Sequence, residues 1–308
     1  MGAQASDRIS SSEIALFETY LEKERRARPF GKVLLTTSIS ILVGAVLFYF
    51  AARWFERTVV FHPERYSEGM RWRLPEGGED VWFTGKSGER LHGWYVRAKR
   101  NEDESRATVL YFHGNGGNIS YIGWLAESLA SRGFDVLLFD YRGYGKSEGG
   151  PTDERGIYED ADAAYDYLLS VRRVRPEQIV LYGQSLGTTA AVDLAARKPC
   201  GAVILESGLS SASDMASLIL PWAPRWLHQY GRNHFESVKK LAGVRAPLLV
   251  SHGARDRTIP VEQGYKLYEA AHEPKRLLVF PGGHHRSLQH DLEVQNLSAR
   301  FIEQAFAA

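Results

Sequence analysis

The pentapeptide Gly183-Gln184-Ser185-Leu186-Gly187 stands between an apolar β-like run, Gln178 to Tyr182, and a helix-like one, Thr188 to Arg197. A strand that turns directly into a helix at a serine tolerates only small residues two before and two after it, where a side chain would meet neighbouring backbone. Gly183 and Gly187 meet both demands, so the chain is expected to hold Ser185 on a sharp strand-to-helix turn. Serine beside glycine also occurs in ordinary turns and helix N-caps. The chemistry must therefore be sought in what surrounds it.

A serine hydroxyl is a weak nucleophile at neutral pH and needs an imidazole base that is itself oriented by a carboxylate. Downstream, Ala246 to Val250 reads as a buried strand that delivers Ser251-His252-Gly253-Ala254-Arg255-Asp256 at its C-terminal end, with Asp256 as the carboxylate candidate. A second apolar run, Arg276 to Phe280, ends in Pro281-Gly282-Gly283-His284-His285, and His284 is the candidate base. Glu206, at the end of the strand after the nucleophile helix, is the rival acid. The order Ser, Asp, His differs from that of the chymotrypsin and subtilisin folds. His252, His285 and His290 with Asp256 fit no common metal-site spacing, so no metal is expected.

Charge that develops on a carbonyl oxygen must meet preorganised N–H donors. The Leu186 N–H, just after the serine, is one. The other is expected from the glycine-rich loop His113-Gly114-Asn115-Gly116-Gly117-Asn118 that follows the strand Thr108 to Phe112, with Asn115 first and Gly114 or Gly116 as alternatives. No G-K-[ST] follows and no dinucleotide fingerprint fits, so neither a phosphate-cradling loop nor a cofactor is expected.

Strands are expected near residues 81–84, 90–97, 107–112, 134–140, 179–182, 201–206, 246–251 and 276–280, with helical patterns in most gaps between the later ones. Such alternation implies a mainly parallel eight-stranded sheet covered by helices on both faces, with ligands bound outside the carboxyl ends of the strands. Every motif above sits at such an end. With 308 residues, 44% of them hydrophobic, the chain can bury a sizeable core, and a formal net charge of only +1 argues against nucleic acid as partner. The lone cysteine, Cys200, excludes an internal disulfide and a cysteine-based zinc site.

Taken together, the His-Gly-Asn-Gly-Gly-Asn loop, the turn Asp140-Tyr141-Arg142-Gly143-Tyr144-Gly145-Lys146-Ser147, the serine elbow, the His-Gly-x-x-Asp segment and the Gly-Gly-His segment resemble the α/β-hydrolase superfamily. Within it the chain is similar to the membrane-anchored branch of abhydrolase-domain lipases and depalmitoylases. The resemblance spans roughly residue 80 to the C-terminus. It implies an α/β-hydrolase fold and a Ser185, His284 and Asp256 triad that cleaves an ester, thioester or amide through an acyl-enzyme. The sequence departs from these relatives at His285, where they often carry asparagine. Asp140 could be a further carboxylate in the site, but the tight turn around it is read as its role.

Ahead of that domain, Val33 to Ala52 is a run of twenty residues without a charge. About that number crosses a hydrocarbon core of roughly 30 Å as a helix, so a transmembrane anchor is expected, with a polar segment at 1–32 and a juxtamembrane arm at 53–79. The run ends in a poor cleavage site for a signal peptide. Lys23, Arg25, Arg26, Arg28 and Lys32 precede it, and Arg53, Arg57 and Arg65 follow. That bias expects a cytoplasmic N-terminus and a catalytic domain outside. Trp54, Phe55 and Trp72 in the arm suit either the membrane interface or packing on the core.

Between two of the later strands, residues 209–236 carry Met215, Leu218, Ile219, Leu220, Trp222, Trp226, Leu227, Tyr230 and Phe235 and read as a cap over the site. Tyr144, Trp222 and Trp226 are expected to line the substrate site. An apolar cap beside a membrane anchor suggests a small-molecule or lipid-like acyl substrate. A peptidase or amidase of the same fold is the nearest alternative, and a non-catalytic binding protein a further one.

Overall fold

The computed structural model describes residues 10–99, 107–150, 152–224, 228, 231–285 and 290–307. The chain divides into two compact units, Met1–Glu56 and Arg57–Ala308. The first is helical from Ser11 onward. It belongs to a long helix, α1, which spans Ser11–Val60. Within Val33–Val60, an 18-residue window reaches a mean hydropathy of 2.2 with none of it buried, which suits a membrane span or a signal sequence.

The second unit runs β1 (His62–Pro63), β2 (Gly78–Thr84), β3 (Arg90–Val96), β4 (Thr108–Phe112), β5 (Gly116–Gly117), α2 (Gly123–Ser131), β6 (Asp135–Phe139), α3 (Glu154–Ser170), β7 (Ile179–Gln184), α4 (Gly187–Arg197) and β8 (Ala202–Glu206). It continues through α5 (Ala212–Ile219), α6 (Ser237–Lys240), β9 (Leu248–Gly253), α7 (Val261–Ala270), β10 (Lys275–Phe280) and α8 (Leu292–Ala305). Eight strands form one sheet in the order β10-β9-β8-β7-β4-β6-β3-β2. Only the β2–β3 and β3–β6 pairs are antiparallel; the other five are parallel. All eight expected strands are present. The two-residue pair β1–β5 was not anticipated, because pieces so short carry no periodic signal.

Side chains alternate across the sheet with period two and feed two apolar layers. Leu110, Phe112, Leu181, Val203 and Leu205 face α3, α4 and α7, while Val109, Tyr111, Val180, Tyr182 and Ile204 face α2 and α8. A strand buried on both faces reads as a continuous apolar run, and β4, β7 and β8 do so. The register aligns the strand ends: Phe112 pairs with Gly183, Gln184 with Glu206, Glu206 with Ser251 and Gly253 with Phe280. One edge of the sheet thus collects the chain segments that leave β4, β7, β8, β9 and β10.

The arm after α1 lies on this unit. Phe61 is buried, Tyr66 N–H donates to Gly145 O (2.8 Å) and Gly145 N–H to Glu64 O (2.9 Å). Trp72 packs on Trp94 and His92, with ring centroids 5.5 and 5.6 Å apart. Core packing is therefore what occupies its indole.

Candidate active site

Ser185 sits at φ +53°, a left-handed conformation that costs a side chain of order 1–3 kcal/mol and is held by its surroundings. The cause is steric crowding between β7 and α4. A Cβ on Gly187 would lie 2.0 Å from the Phe112 carbonyl oxygen, and one on Gly183 would lie 2.5 Å from the Gly187 carbonyl oxygen. Ser185 N–H donates to Glu206 O (2.9 Å), while Thr188 N–H and its hydroxyl both return to Ser185 O (3.0 and 2.7 Å). The turn is fastened at both ends and its hydroxyl is thrown to the strand-end edge.

There it meets a histidine, but not the expected one. His285 Nε2 lies 2.9 Å from Ser185 Oγ, and His285 Nδ1 lies 2.7 Å from Asp256 Oδ2. His284, expected as the base, is exposed and donates through Nδ1 to Arg255 O (3.0 Å). Arg255 N–H in turn donates to Gly283 O (3.0 Å). These two bonds clamp the glycine turn to the β9 turn and hold His284 on the outside, so the next residue enters the site. The carboxylate can only accept from Nδ1–H, which leaves Nε2 as the acceptor for the serine hydroxyl.

Asp256 is buried, and burial by itself would raise its carboxyl. The bond and charge of His285, with the N–H groups of Ile259 and Thr258 (each 2.9 Å to Oδ1), outweigh this and hold it below the ordinary carboxylate range. His252 lies beneath, with Nε2 donating to Ile259 O (2.8 Å) and 3.5 Å from Asp256 Oδ2. Burial pulls the His252 imidazole below its usual pKa, so it packs as a neutral ring. Glu206, the rival acid, is buried and accepts the Tyr182 hydroxyl at 2.6 Å.

The glycine-rich loop comes up against the serine. A Cβ on Gly114 would lie 3.4 Å from Ser185 Cβ and 2.8 Å from Gln184 Oε1. Leu186 is the N-cap of α4 and brings no side-chain cap. Among the described residues, neither the Leu186 N–H nor the Asn115 N–H has an acceptor. The Asn115 carbonyl is occupied, accepting from His62 N–H and the Tyr144 hydroxyl at 2.9 Å each.

Tyr144, expected to line the substrate site, is instead 1% exposed. It spends its hydroxyl on that carbonyl and packs its ring on His113, centroid to centroid 5.3 Å, so it shapes the loop from behind. Trp222 is 80% exposed on the turn after α5, and no contact among the described residues joins it to Ser185. Trp226 lies outside the described residues. Asp140 is buried and accepts Ile119 N–H at 2.9 Å; burial pushes its carboxyl up to about 8, although the N–H bonds from Ile119 and Lys146 oppose this. It ties β6 to the loop. Among the described residues no group of three or more His, Cys, Asp or Glu side chains could hold a metal ion.

Residues 107–243 match the family described as the alpha/beta hydrolase fold. The chain is 37% identical over 217 residues to the uncharacterized protein YfhR of Escherichia coli K12, a stretch that covers 68% of this chain and 74% of that protein. It is 35% identical over 242 residues to the uncharacterized protein Rv2307c of Mycobacterium tuberculosis, covering 79% and 83%. Among solved structures it is similar to the Pyrococcus furiosus esterase Pf2001, with a TM-score of 0.63, 22% identity and coverage of 80% of this chain and 98% of that one. The esterase domain of a Rhodothermus marinus protein is similar at TM-score 0.56 and 19% identity, covering 73% and 98%. The strand order, the serine elbow at the end of β7 and the relatives agree: this chain belongs to the α/β-hydrolase superfamily.

Proposed function

We propose that the protein is a serine hydrolase that cleaves carboxylic ester or thioester bonds of acyl substrates. One observation carries this: an unbroken hydrogen-bonded line from Asp256 through His285 to a serine on a left-handed turn. Ser185 Oγ attacks the acyl carbonyl carbon as its proton passes to His285 Nε2, and Asp256 stabilises the imidazolium. The Leu186 N–H and an N–H of the 114–116 loop, Asn115 first, receive the oxyanion. Collapse breaks the bond to the leaving group, which takes the proton from His285. Water, deprotonated by the same imidazole, then frees the acid and restores Ser185.

The apolar stretch of α1 is the anchor in this reading. Charge bias across it, five basic residues before to three after, supports a catalytic domain outside the cytoplasm. The exposed Leu218, Ile219 and Trp222 of the 209–236 segment suit an acyl chain as substrate.

Fluorophosphonate labelling of the purified protein, with the site mapped by mass spectrometry, tests the chemistry. Label on Ser185 that vanishes in Ser185→Ala is expected. A p-nitrophenyl ester series should then favour medium or long acyl chains over acetate, and aminoacyl amides should be poorer. Absence of label on folded protein, or faster turnover of the amides, would refute the assignment.

A further inference from the structure

Glu206 is not used in the chemistry above, yet its place is unusual. It ends β8 beside the nucleophile, its carbonyl holding the Ser185 N–H and its register partners being Gln184 and Ser251. Alternation along β8 places Ala202 and Ile204 in the layer under α8, and Glu206 shares their parity. Tyr182, from the same layer, donates its hydroxyl to Oε2 at 2.6 Å. Ser185 links the two residues, its N–H on the Glu206 carbonyl (2.9 Å) and its Oγ 2.9 Å from His285 Nε2, and the His285 charge acts on the Glu206 carboxyl. Glu206 is 1% exposed, and its Oε1 has no donor among the described residues.

We infer that Glu206 is a second carboxylate behind the base: a positioning residue that touches no substrate but, when ionised, stabilises the imidazolium of His285 and so sets its basicity. This rests on Ser185 and His285 acting as proposed. A buried carboxylate with one donor is a poor structural choice, since an unpaired buried oxygen has lost its water without gaining a partner. A positive charge that appears nearby during turnover gives that oxygen a use. Among the described residues, the titratable groups facing the pair are Asp256 and His252 from β9 and its turn, and Tyr182 and Tyr111 from the central strands. Burial pushes the Glu206 carboxyl up to about 7, while the Tyr182 bond and the charge of His285 pull it back.

The test is kcat/KM against pH from 4.5 to 9.5 for full-length wild type, Glu206→Gln and Tyr182→Phe, with p-nitrophenyl butyrate. Loss of the negative charge removes a stabiliser of the His285 imidazolium. The acid limb of Glu206→Gln should then move down by on the order of 1 pH unit, with a plateau roughly tenfold lower. Tyr182→Phe leaves Glu206 protonated over a wider range and should move the limb the same way by less.

A folded Glu206→Gln with the wild-type limb overturns the inference. If that variant does not fold, an unmoved limb in Tyr182→Phe overturns it instead. A wild type that neither hydrolyses the ester nor takes the fluorophosphonate label fails the underlying assignment of Ser185, which is a different result.

Discussion

Replacing each of two adjacent histidines by alanine should have consequences that differ by orders of magnitude. His285 makes both bonds of the proposed proton path, 2.9 Å to Ser185 Oγ and 2.7 Å to Asp256 Oδ2. General-base transfer contributes about 10²–10⁴-fold, and loss of the base also strands the carboxylate that held it. A fall of ~10⁴ in kcat/KM, about 5.4 kcal/mol at 1.36 kcal/mol per decade, is expected for His285→Ala. His284 is exposed, and its bond to Arg255 O at 3.0 Å fixes only the loop. Such a bond contributes about 0.5–1.5 kcal/mol, so His284→Ala should lose about tenfold at most. Steady-state hydrolysis of p-nitrophenyl butyrate and the rate of fluorophosphonate labelling measure the two variants side by side. If His284→Ala were the more damaged, or the two fell within tenfold of each other, the assignment of the base to His285 would be wrong.

Two stability measurements probe the scaffold of the site. Gly187→Ala puts a methyl group 2.0 Å from the Phe112 carbonyl oxygen and 2.7 Å from that of His113; neither backbone group can withdraw, and a loss of about 3 kcal/mol is expected by thermal denaturation. Unchanged stability would mean that the β4 and α4 backbones can separate. Asp140 has a folded-state carboxyl pushed up to about 8, above its unfolded value, so it stays protonated when folded while the unfolded chain ionises. Stability should therefore decline as pH rises through the window from the ordinary carboxylate range to about 8, and Asp140→Asn should flatten that decline in Tm. An identical pH slope in the variant would show that Asp140 is ionised in the folded protein. Asp256, held low, acts in the opposite sense, its contribution fading as pH falls below the ordinary carboxylate range.

What the chain declares about itself is local and steric. Apolar runs bounded by glycine and polar turns mark the central strands β4, β7, β8 and β9, because a strand buried on both faces tolerates little else. Gly183 and Gly187 mark the elbow, because no Cβ fits there. The strand ends Phe112, Gln184, Glu206, Gly253 and Phe280 come to one edge as a consequence of parallel register, which the strand and helix alternation already implies.

Side-chain direction at that edge is another matter. His284 and His285 are equivalent in a string of letters, and the choice between them falls to two bonds between loops far apart in sequence, Arg255 N–H to Gly283 O and His284 Nδ1 to Arg255 O. Tyr144 sits in a motif beside the site, yet its hydroxyl is turned inward to the Asn115 carbonyl, a partner 29 residues away. Trp72, equally at home in a membrane interface by composition, is placed on Trp94 and His92 by the strands beneath it. Glu206 looks like a rival to Asp256 in the sequence, but it is Asp256 that meets His285 Nδ1, while Glu206 takes the Tyr182 hydroxyl. Sequence alone decides where backbone can turn and which surfaces must be buried, since those follow from the residue and its near neighbours. Which atom a side chain meets depends on long-range hydrogen bonds that exist only once the sheet has closed around the site.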